Sequence, residues 1–365
     1  MNIAIIVFVA IIQSILFLGH YLLYRTLLRF YPFANTYLSA TKIVFFLLSI
    51  SFIITSVIAF KFYGPVTRTF YSAAVIWLGT FYWLLIASII SWFIYSFSPY
   101  GKNLTPLVSI LFVLAILTSG YGIWNSYQTK IRTVTIKLEN LPEEWKGKRA
   151  VLVADTHLGN VRNLKFGKKI ANLIQQQNPD IVFIAGDFYD GTPTDYQVLA
   201  EPFGQIQSKY GTYFAPGNHE EFGNKSPFLN GLRSAGVKVL DNQKIEIDGV
   251  QLIGLDYVTN TKPADQIRNL ANLNIDKNVP SIVIKHVPSL VDLSESAGID
   301  LQLSGHTHLG QVFPMQYVTK AIFGQFYYGY SRLGNLQNFT TSGAGTWGPP
   351  QRVGTNSEII VITFE

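Results

Sequence analysis

The sequence predicts a transmembrane bundle of about four α-helices followed by an α/β domain. Three observations predict this fold class. Residues 1–127 contain no Asp or Glu, and six basic residues interrupt their long apolar runs. The other 22 of the 28 Lys and Arg residues and all 22 acidic residues lie after position 127, so the second part has no formal net charge. In that second part, short apolar runs alternate with helical stretches, which is typical of α/β domains.

Four apolar segments form the predicted membrane domain at 2–24, 40–62, 69–97 and 104–124. Each has the roughly 20 residues that a helix needs to cross a bilayer. A cleaved signal peptide supplies one short apolar core, whereas this chain has four in succession. We therefore assign 1–127 to the membrane, with the lipid bilayer as a partner. His20 and Lys42 lie near segment ends, and we expect both to reach the interface.

The orientation of the domain follows from the first helix. No basic side chain precedes that helix, while Arg25 and Arg29 follow it. Basic residues favour the cytoplasmic side, so the N-terminus is expected outside the cytoplasm. With four spans, the second domain lies on the same side as the N-terminus. We expect an integral protein of a bacterial plasma membrane with an extracytoplasmic second domain, and the cytoplasmic orientation is the alternative.

The second domain is expected at 128–365. Its first segment, 131–138, alternates apolar and polar residues as a half-buried strand does. The continuous apolar run at 150–154 is typical of a strand buried on both faces. Helices are predicted at 165–177 and 226–234. Further strand-like runs occur at 181–185, 213–215, 237–240, 251–255, 281–284 and 301–303.

Polar motifs follow several of these predicted strands. Their leading residues are Asp155, Asp187, Asn218, His286 and His306. Ligands of open α/β sheets gather beyond the carboxyl ends of strands, so these residues are expected to converge. Glycines at 186, 217 and 305 would let the backbone turn sharply or approach an ion. Oxygen and nitrogen donors without cysteine suit divalent Mn, Fe, Co, Ni or Zn.

The motifs Asp-Thr-His, Gly-Asp-Phe-Tyr-Asp, Gly-Asn-His-Glu, Lys-His and Gly-His-Thr-His resemble those of the calcineurin-like metallophosphoesterases, in order, over residues 130–365. The resemblance implies a two-sheet sandwich flanked by helices and a centre of two divalent metal ions, with manganese favoured. It implies that Asp187 bridges both ions. His219 would contact the phosphate and protonate the leaving oxygen, and Asp190 would orient a ligand as a hydrogen-bond acceptor. The implied terminal ligands are Asp155, His157 and His308 for one ion, and Asn218, His286 and His306 for the other.

The chain also resembles a narrower branch of membrane-associated or exported bacterial phosphoesterases. Their last histidine block reads Gly-His-Thr-His-Gly-Gly-Gln, and the tail at 342–352 is similar too. Leu309 replaces the first glycine after the second histidine. This departure leaves the ligands intact but puts the shape of the substrate side in question. Export of some relatives is in keeping with the extracytoplasmic orientation.

The expected function is hydrolysis of a phosphate ester by a hydroxide held between two metal ions, without a covalent intermediate. A phosphodiester or pyrophosphate that is lipid-linked or belongs to the envelope is favoured as substrate over a monoester. The alternative is a membrane sensor or transporter whose phosphoesterase domain regulates or binds. Neutral charge disfavours a nuclease, so no nucleic-acid partner is expected.

Four further residues near the motifs have open roles. For Glu220 and Glu221, a solvated or capping role is expected. Trp347 could form a wall for the substrate or belong to a structural loop. Arg352 could grip a phosphate or lie exposed at the surface.

Overall fold

The computed structural model describes residues 3–31, 36–97 and 104–365. Its first part consists of helices α1 (Ile3–Phe30), α2 (Leu38–Ala59), α3 (Pro65–Phe97) and α4 (Thr105–Ser126). Within the described residues, these four helices are long and apolar enough to cross a membrane. Residue 2, where the first predicted segment begins, and Lys102 lie outside the described residues. Helix α1 continues past the predicted end at 24 and ends at Phe30, so the helix is longer than its apolar stretch.

His20 is buried among the helices, so the expectation that it reaches the interface is wrong. Only 3% of the residue is exposed. Its Nδ1 atom is 2.8 Å from the carbonyl oxygen of Leu16, and Nε2 accepts a hydrogen bond of 3.0 Å from Trp77. The ring stacks on Phe81 at 3.9 Å. A buried polar ring is tolerated here because both nitrogens are satisfied. Lys42 is exposed on α2.

The chain forms two compact units. One contains residues 1–124 together with Gly348–Gln351, and the other contains Asn125–Trp347 together with Arg352–Glu365. In the helical unit, Gln351 accepts a hydrogen bond of 3.1 Å from Trp83 and donates one of 2.8 Å to Ser119. The Gly79 backbone allows this approach, because a Cβ there would lie 2.6 Å from the Gln351 amide nitrogen. A short segment from the end of the chain thus belongs to the helical unit.

The second unit contains two six-stranded mixed sheets. The first has the order β1-β12-β2-β3-β4-β5, and the second has the order β10-β11-β9-β8-β7-β6. In chain order the strands are β1 (Lys130–Ile136), β2 (Arg149–Val153), β3 (Ile181–Ala185), β4 (Gly211–Ala215), β5 (Lys238–Val239), β6 (Gln243–Ile247), β7 (Val250–Leu255), β8 (Ser281–Lys285), β9 (Leu301–Ser304), β10 (Gly329–Leu333), β11 (Leu336–Thr340) and β12 (Glu358–Phe364).

Seven helices connect or follow these strands. They are α5 (Leu164–Gln175), α6 (Tyr196–Gly204), α7 (Ser226–Ser234), α8 (Tyr257–Thr261), α9 (Pro263–Asn272), α10 (Val291–Ser296) and α11 (Met315–Phe323). The predicted helix at 226–234 matches α7, and the one at 165–177 corresponds to α5. Short 3₁₀ turns occur at Glu143–Trp145, His308–Gly310 and Gly324–Tyr327.

The two sheets pack face to face, with helices on their outer faces. Leu152 and Phe183 of the first sheet share one core with Ile284 of the second. On β2, the alternate residues Val151 and Val153 point to the other face, where they pack with helix residues of α5 and α6. Successive side chains of a strand point to opposite faces, so a strand covered on both faces is apolar throughout. The predicted α/β fold, a two-sheet sandwich flanked by helices, is confirmed.

Candidate metal centre

The strand ends bring the polar motifs of the sequence together. Strands β2, β3 and β4 of the first sheet lead into the Asp155, Asp187 and Asn218 motifs, and β8 and β9 of the second lead into those of His286 and His306. Three groups of side chains have ligand atoms within 4.8 Å of one another. The groups are Asp155, His157 and His308; His157, Asp187 and His219; and Asp187, His286 and His306. The structure thus brings Asp155, Asp187, His286 and His306 close together at the strand ends. The convergence of Asn218 with them stays a prediction.

The spacing of these atoms fits divalent metal ions. Two ligand atoms that each lie about 2.1 Å from one ion are separated by roughly 3–3.5 Å at tetrahedral or octahedral angles. His308 Nε2 lies 3.3 Å from Asp155 Oδ1, and His286 Nε2 lies 3.1 Å from Asp187 Oδ2. Among the described residues, the buried Oδ1 atom of Asn218 has no hydrogen-bond partner. An unpaired buried oxygen is costly, and a cation satisfies it.

Asp187 belongs to two of the three groups, one with His157 and one with His286. Its Oδ2 atom is 3.1 Å from His286 Nε2 and 3.8 Å from His157 Nε2, which belong to different groups. Its Oδ1 atom accepts a hydrogen bond of 2.9 Å from the backbone N–H of His219. That bond fixes the carboxylate plane. One oxygen of Asp187 is therefore held where it can serve both groups.

Hydrogen bonds also fix which ring nitrogen two histidines present. His286 Nδ1 lies 2.7 Å from the carbonyl oxygen of Ala185, and His219 Nδ1 lies 2.9 Å from that of Asp190. A carbonyl oxygen only accepts, so both Nδ1 atoms carry the proton. Nε2 of each ring then faces the carboxylate of Asp187, at 3.1 Å and 3.9 Å. This is the usual way in which a second hydrogen bond orients a metal-binding or catalytic histidine.

Burial sets the charges in the site. It lowers the pKa values of His157 and His308, so both imidazoles are neutral, the form that binds a metal ion. Burial raises the pKa of Asp155 to about 7. Burial opposes charge on His286 as well, but the neighbouring Asp187 carboxylate raises the pKa of His286 to about 10. Burial raises the pKa of Asp187, but His286 and the other histidines around it lower that pKa overall, so the carboxylate is ionised. A divalent ion bound at Nε2 of His286 would take the place of the proton there.

Much of the candidate set occupies strained backbone. Positive φ angles between 46° and 72° occur at Asp155, His157, Asp187, His306 and His308. For residues other than glycine such angles are uncommon, and they concentrate at functional sites. The turns that carry these residues therefore adopt a conformation that costs backbone energy, and the surrounding structure must offset that cost.

Glycines make this crowding possible, as expected for Gly186, Gly217 and Gly305. A Cβ atom on Gly217 would lie 2.2 Å from Asp187 Oδ1, and one on Gly186 would lie 2.6 Å from His286 Nδ1. On Gly305 it would lie 2.5 Å from a carboxylate oxygen of Asp155. No side chain can occupy these positions without moving a candidate ligand.

Glu220 is fully buried, so its expected solvation is wrong. Its carboxylate accepts hydrogen bonds from the backbone N–H groups of Asp187, Tyr189 and Gly217, at 3.0, 3.1 and 2.9 Å. Burial raises its pKa to about 7. The carboxylate therefore ties the β3 turn to the β4 turn. Glu221, in contrast, is partly exposed and pairs with Lys225 at 3.3 Å.

Arg352 supports the site from inside the protein. The residue is 0% exposed, so the expected alternative of surface exposure is wrong. The grip on a phosphate stays a prediction. It donates hydrogen bonds to the carbonyl oxygens of His308, Ser342 and Gly345 at 2.8, 2.6 and 2.8 Å. Its guanidinium thereby fixes the backbone of a candidate ligand.

Asp190 lies behind His157, with 4.0 Å between Oδ1 and the ring Nδ1. That separation is too long for a hydrogen bond, and its role as an acceptor for a ligand stays a prediction. Burial raises its pKa to about 7. The contact that the structure does show is through its backbone, whose carbonyl accepts from His219.

Aromatic rings stand at the rim of the site. Trp347 is 58% exposed, and its ring lies 6.1 Å from that of His219. The side chain of Gln311 holds the Trp347 backbone through two hydrogen bonds of 3.1 and 3.0 Å. Phe222 lies 4.6 Å from His219, and Phe323 lies 5.9 Å from His306. The polar centre is therefore bordered by apolar surface on two sides.

Known proteins match much of this chain. Residues 148–310 match the family model for calcineurin-like phosphoesterases. An uncharacterised metallophosphoesterase of Campylobacter jejuni is 32% identical over 260 residues, covering 70% of this chain and 68% of that protein. One of Helicobacter pylori is 33% identical, covering 71% and 70%. A zebrafish (Danio rerio) transmembrane protein with a metallophosphoesterase domain is 31% identical, covering 71% and 62%.

Proposed function

Because this chain belongs to the calcineurin-like phosphoesterase family, we propose that it is a membrane-tethered hydrolase that uses two divalent metal ions to cleave a phosphodiester or a pyrophosphate. One observation carries the proposal. The Oδ2 atom of Asp187 lies within 3.1–3.8 Å of histidines from two different ligand groups. A carboxylate in that position serves two ions at once, and paired ions are typical of in-line phosphoryl hydrolysis.

In this proposal each ion has its own terminal ligands. Asp155, His157 and His308 hold one ion, and Asn218, His286 and His306 hold the other. Bound divalent ions of this kind activate water and neutralise phosphoryl oxygens during attack. The oxygen and nitrogen donors are compatible with Mn, Fe, Co, Ni or Zn, and manganese is our first choice for assays.

The remaining steps fall to the protein's own side chains. His219 holds a proton on Nδ1 against the Asp190 carbonyl and presents Nε2 to the site. In its protonated form, Nε2 donates to a phosphoryl oxygen or to the leaving oxygen. Such acid catalysis contributes about 10²- to 10⁴-fold. The rings of Phe222 and Trp347 lie 4.6 and 6.1 Å from that of His219, next to the place where a leaving group would depart.

The proposed substrate is lipid-linked or part of the envelope. Only residues 127–129 separate the end of α4 from the start of β1. The catalytic unit therefore follows directly in the chain from a helix that is long and apolar enough to cross a membrane. The apolar rim formed by Trp347, Phe222 and Phe323 suits a substrate whose phosphate is attached to an apolar body.

We propose that the protein lies in a bacterial plasma membrane with its catalytic unit outside the cytoplasm, because Arg25 and Arg29 lie near the C-terminal end of α1 and no basic residue precedes that helix. The chain contains no cysteine, so a single introduced thiol reports topology. Ile267→Cys is suitable because Ile267 is 54% exposed on α9. We expect a membrane-impermeant maleimide to label it in intact cells. Labelling only after permeabilisation would reverse the orientation.

Hydrolysis of chromogenic esters tests the function. The full chain is purified in detergent, stripped of metal and resupplied with manganese, then assayed with a diester and its monoester. We expect metal-dependent cleavage, faster for the diester, and its loss in Asp187→Ala, which removes the shared ligand. A wild-type protein with two bound metals but no activity on soluble or lipid esters would overturn the proposal and favour a regulatory or binding module.

A further inference from the structure

Helix α11 carries an exposed apolar stripe beside the metal centre. Met315, Val318 and Ile322 are 37%, 49% and 66% exposed. Their spacing of three and four residues places them on one face of the helix. None of the nine residues of α11 is buried.

The other helices of this unit bury their apolar faces. In α5, Phe166, Ile170 and Ile174 are buried against the first sheet, and in α7 Phe228 and Leu232 are buried. An amphipathic helix normally buries its apolar stripe in this way. Helix α11 instead exposes three large aliphatic side chains in a row. Such an exposed patch marks an interaction surface for a membrane or a partner.

The charge around the stripe fits a lipid surface. No acidic residue occurs between Asp300 and Glu358, a stretch that includes all of α11. The charged side chain of α11 is Lys320, which is exposed. Around the helix, Tyr317, which is 64% exposed, lies between the stripe and Lys320 on the opposite side. An aliphatic stripe on one side of a helix and a basic residue on the other is the pattern of a helix that lies in a bilayer interface.

The helix is also joined to the metal centre at both ends. It begins seven residues after His308, and its last residue, Phe323, lies against the ring of His306 at 5.9 Å. Both histidines are candidate metal ligands. A lipid held along α11 would therefore have its headgroup end at the site where phosphate is cleaved.

We infer that α11 is an interfacial helix, which lies on the bilayer that holds α1–α4, places Met315, Val318 and Ile322 among the acyl chains, and presents the phosphate ester of a lipid to the metal centre. This inference rests on the proposed hydrolase function for its substrate, but the membrane contact stands on the geometry of α11. A bilayer is the occupant that the chain itself indicates, because four helices of the same chain are long and apolar enough to cross a membrane.

Fluorophore depth tests the membrane contact without any turnover. The full chain with Ile322→Cys is labelled with an environment-sensitive dye and reconstituted into vesicles of phosphatidylethanolamine and phosphatidylglycerol. Ile267→Cys, on α9 of the same unit, is the matched control because its exposure is similar. We expect the label at 322 to shift to the blue and to be quenched by nitroxide lipids, while the label at 267 is quenched by aqueous iodide.

Kinetics test the delivery of substrate. We expect the double change Val318→Asp and Ile322→Asp to lower kcat/KM about tenfold or more for a long-chain lipid ester in vesicles. The reason is that two aliphatic side chains are no longer buried among the acyl chains. Turnover of a soluble chromogenic diester should be unchanged, which also shows that the variant is folded. Ile267→Asp should leave both activities unchanged.

Two results would overturn the inference. The first is an iodide-accessible label at 322 in vesicles, equal to that at 267. The second is protection of the label at 322 in detergent together with crosslinking of two chains through this position, which would assign the stripe to a second copy. Failure of the hydrolase proposal gives a different result, namely loss of all ester turnover with the depth of the label unaffected.

Discussion

The interior and the rim of the candidate metal centre have opposite chemistry. In the interior, Asp155, His157 and His286 are at most 1% exposed, and hydrogen bonds or close ligand atoms surround them. At the rim, Trp347 and Phe222 are 58% and 44% exposed and apolar. The interior can recognise a phosphate and its metal ions, whereas the rim can recognise only the body attached to that phosphate. Changes in the interior should therefore affect every ester, and changes at the rim should affect lipid esters alone.

After Asp187→Ala, which removes the shared ligand, the largest effect is expected for His219→Asn. Asparagine cannot protonate a leaving oxygen, so kcat should fall by about 10²- to 10⁴-fold for an alkyl ester with a poor leaving group. The loss should be smaller for a nitrophenyl ester, whose leaving group needs no proton. Kinetics on the two esters measure this difference. Metal analysis is the control: His219 lies within 4.8 Å of His157 and Asp187 ligand atoms, so a loss of bound metal would instead make it a ligand.

The next effect is on stability, in Glu220→Gln. The carboxylate accepts three backbone N–H groups in a buried site, and an amide supplies one oxygen while turning its own N–H groups toward those donors. Leaving buried donors unpaired costs about 1–3 kcal/mol. We expect unfolding of the catalytic unit at lower temperature and weaker metal binding. Glu221→Gln is the control, because that neighbour is partly exposed; an equal loss of stability in both variants would contradict the role assigned to Glu220.

The interior could be predicted from sequence because its information is local. A strand, a glycine and a polar residue lie within a few positions of one another, as at β3, Gly186 and Asp187. The parallel strand ends then bring such segments together. The predicted strands and the helices α5 and α7 also follow from local apolar patterns. The family resemblance contributed the order of the motifs, and the structure shows the side chains in contact.

The rim and its supports could not be predicted in the same way. Strand β12 pairs in parallel with β1, some 228 residues earlier in the chain, as in the register of Lys130 with Glu358. The sequence suggests that Glu220 is solvated, because two of its three hydrogen-bond donors, Asp187 and Tyr189, come from the turn after another strand. The spacing of Met315, Val318 and Ile322 indicates a helix, but whether their face is buried depends on what packs on it. His20 was placed wrongly for the same reason, since its partner Trp77 comes from another helix.

A change at the rim should have a smaller and more selective effect. Trp347→Ala removes a ring that lies 6.1 Å from that of His219, on a backbone that Gln311 holds. Loss of one large apolar contact is worth about 1.5–3 kcal/mol when it is fully buried and less at an exposed rim. We expect kcat/KM for a lipid ester to fall up to about tenfold. Assays with a soluble diester are the comparison, and an equal fall there would place Trp347 in the interior of the site.

The smallest effect is expected for Leu309→Gly, which restores the glycine of the related histidine block. Leu309 has a φ of 51° and a ψ of 33°, a left-handed conformation that costs a non-glycine residue about 1–2 kcal/mol. Glycine removes that cost but adds about 0.5–1 kcal/mol of chain entropy to be lost on folding. We therefore expect thermal unfolding to change little.

Activity measurements then show whether the Leu309 side chain contributes to the rim or to the interior of the site. If it belongs to the rim, Leu309→Gly and Leu309→Ala should lower lipid-ester turnover equally and slightly, and leave soluble-diester turnover unchanged. Alanine keeps the backbone strain and glycine relieves it, so a difference between the two variants would trace to the backbone. A large gain or loss with the soluble diester in either variant would show that Leu309, which follows the candidate ligand His308, affects phosphate binding. Leu309 would then belong to the interior of the site and not to the rim.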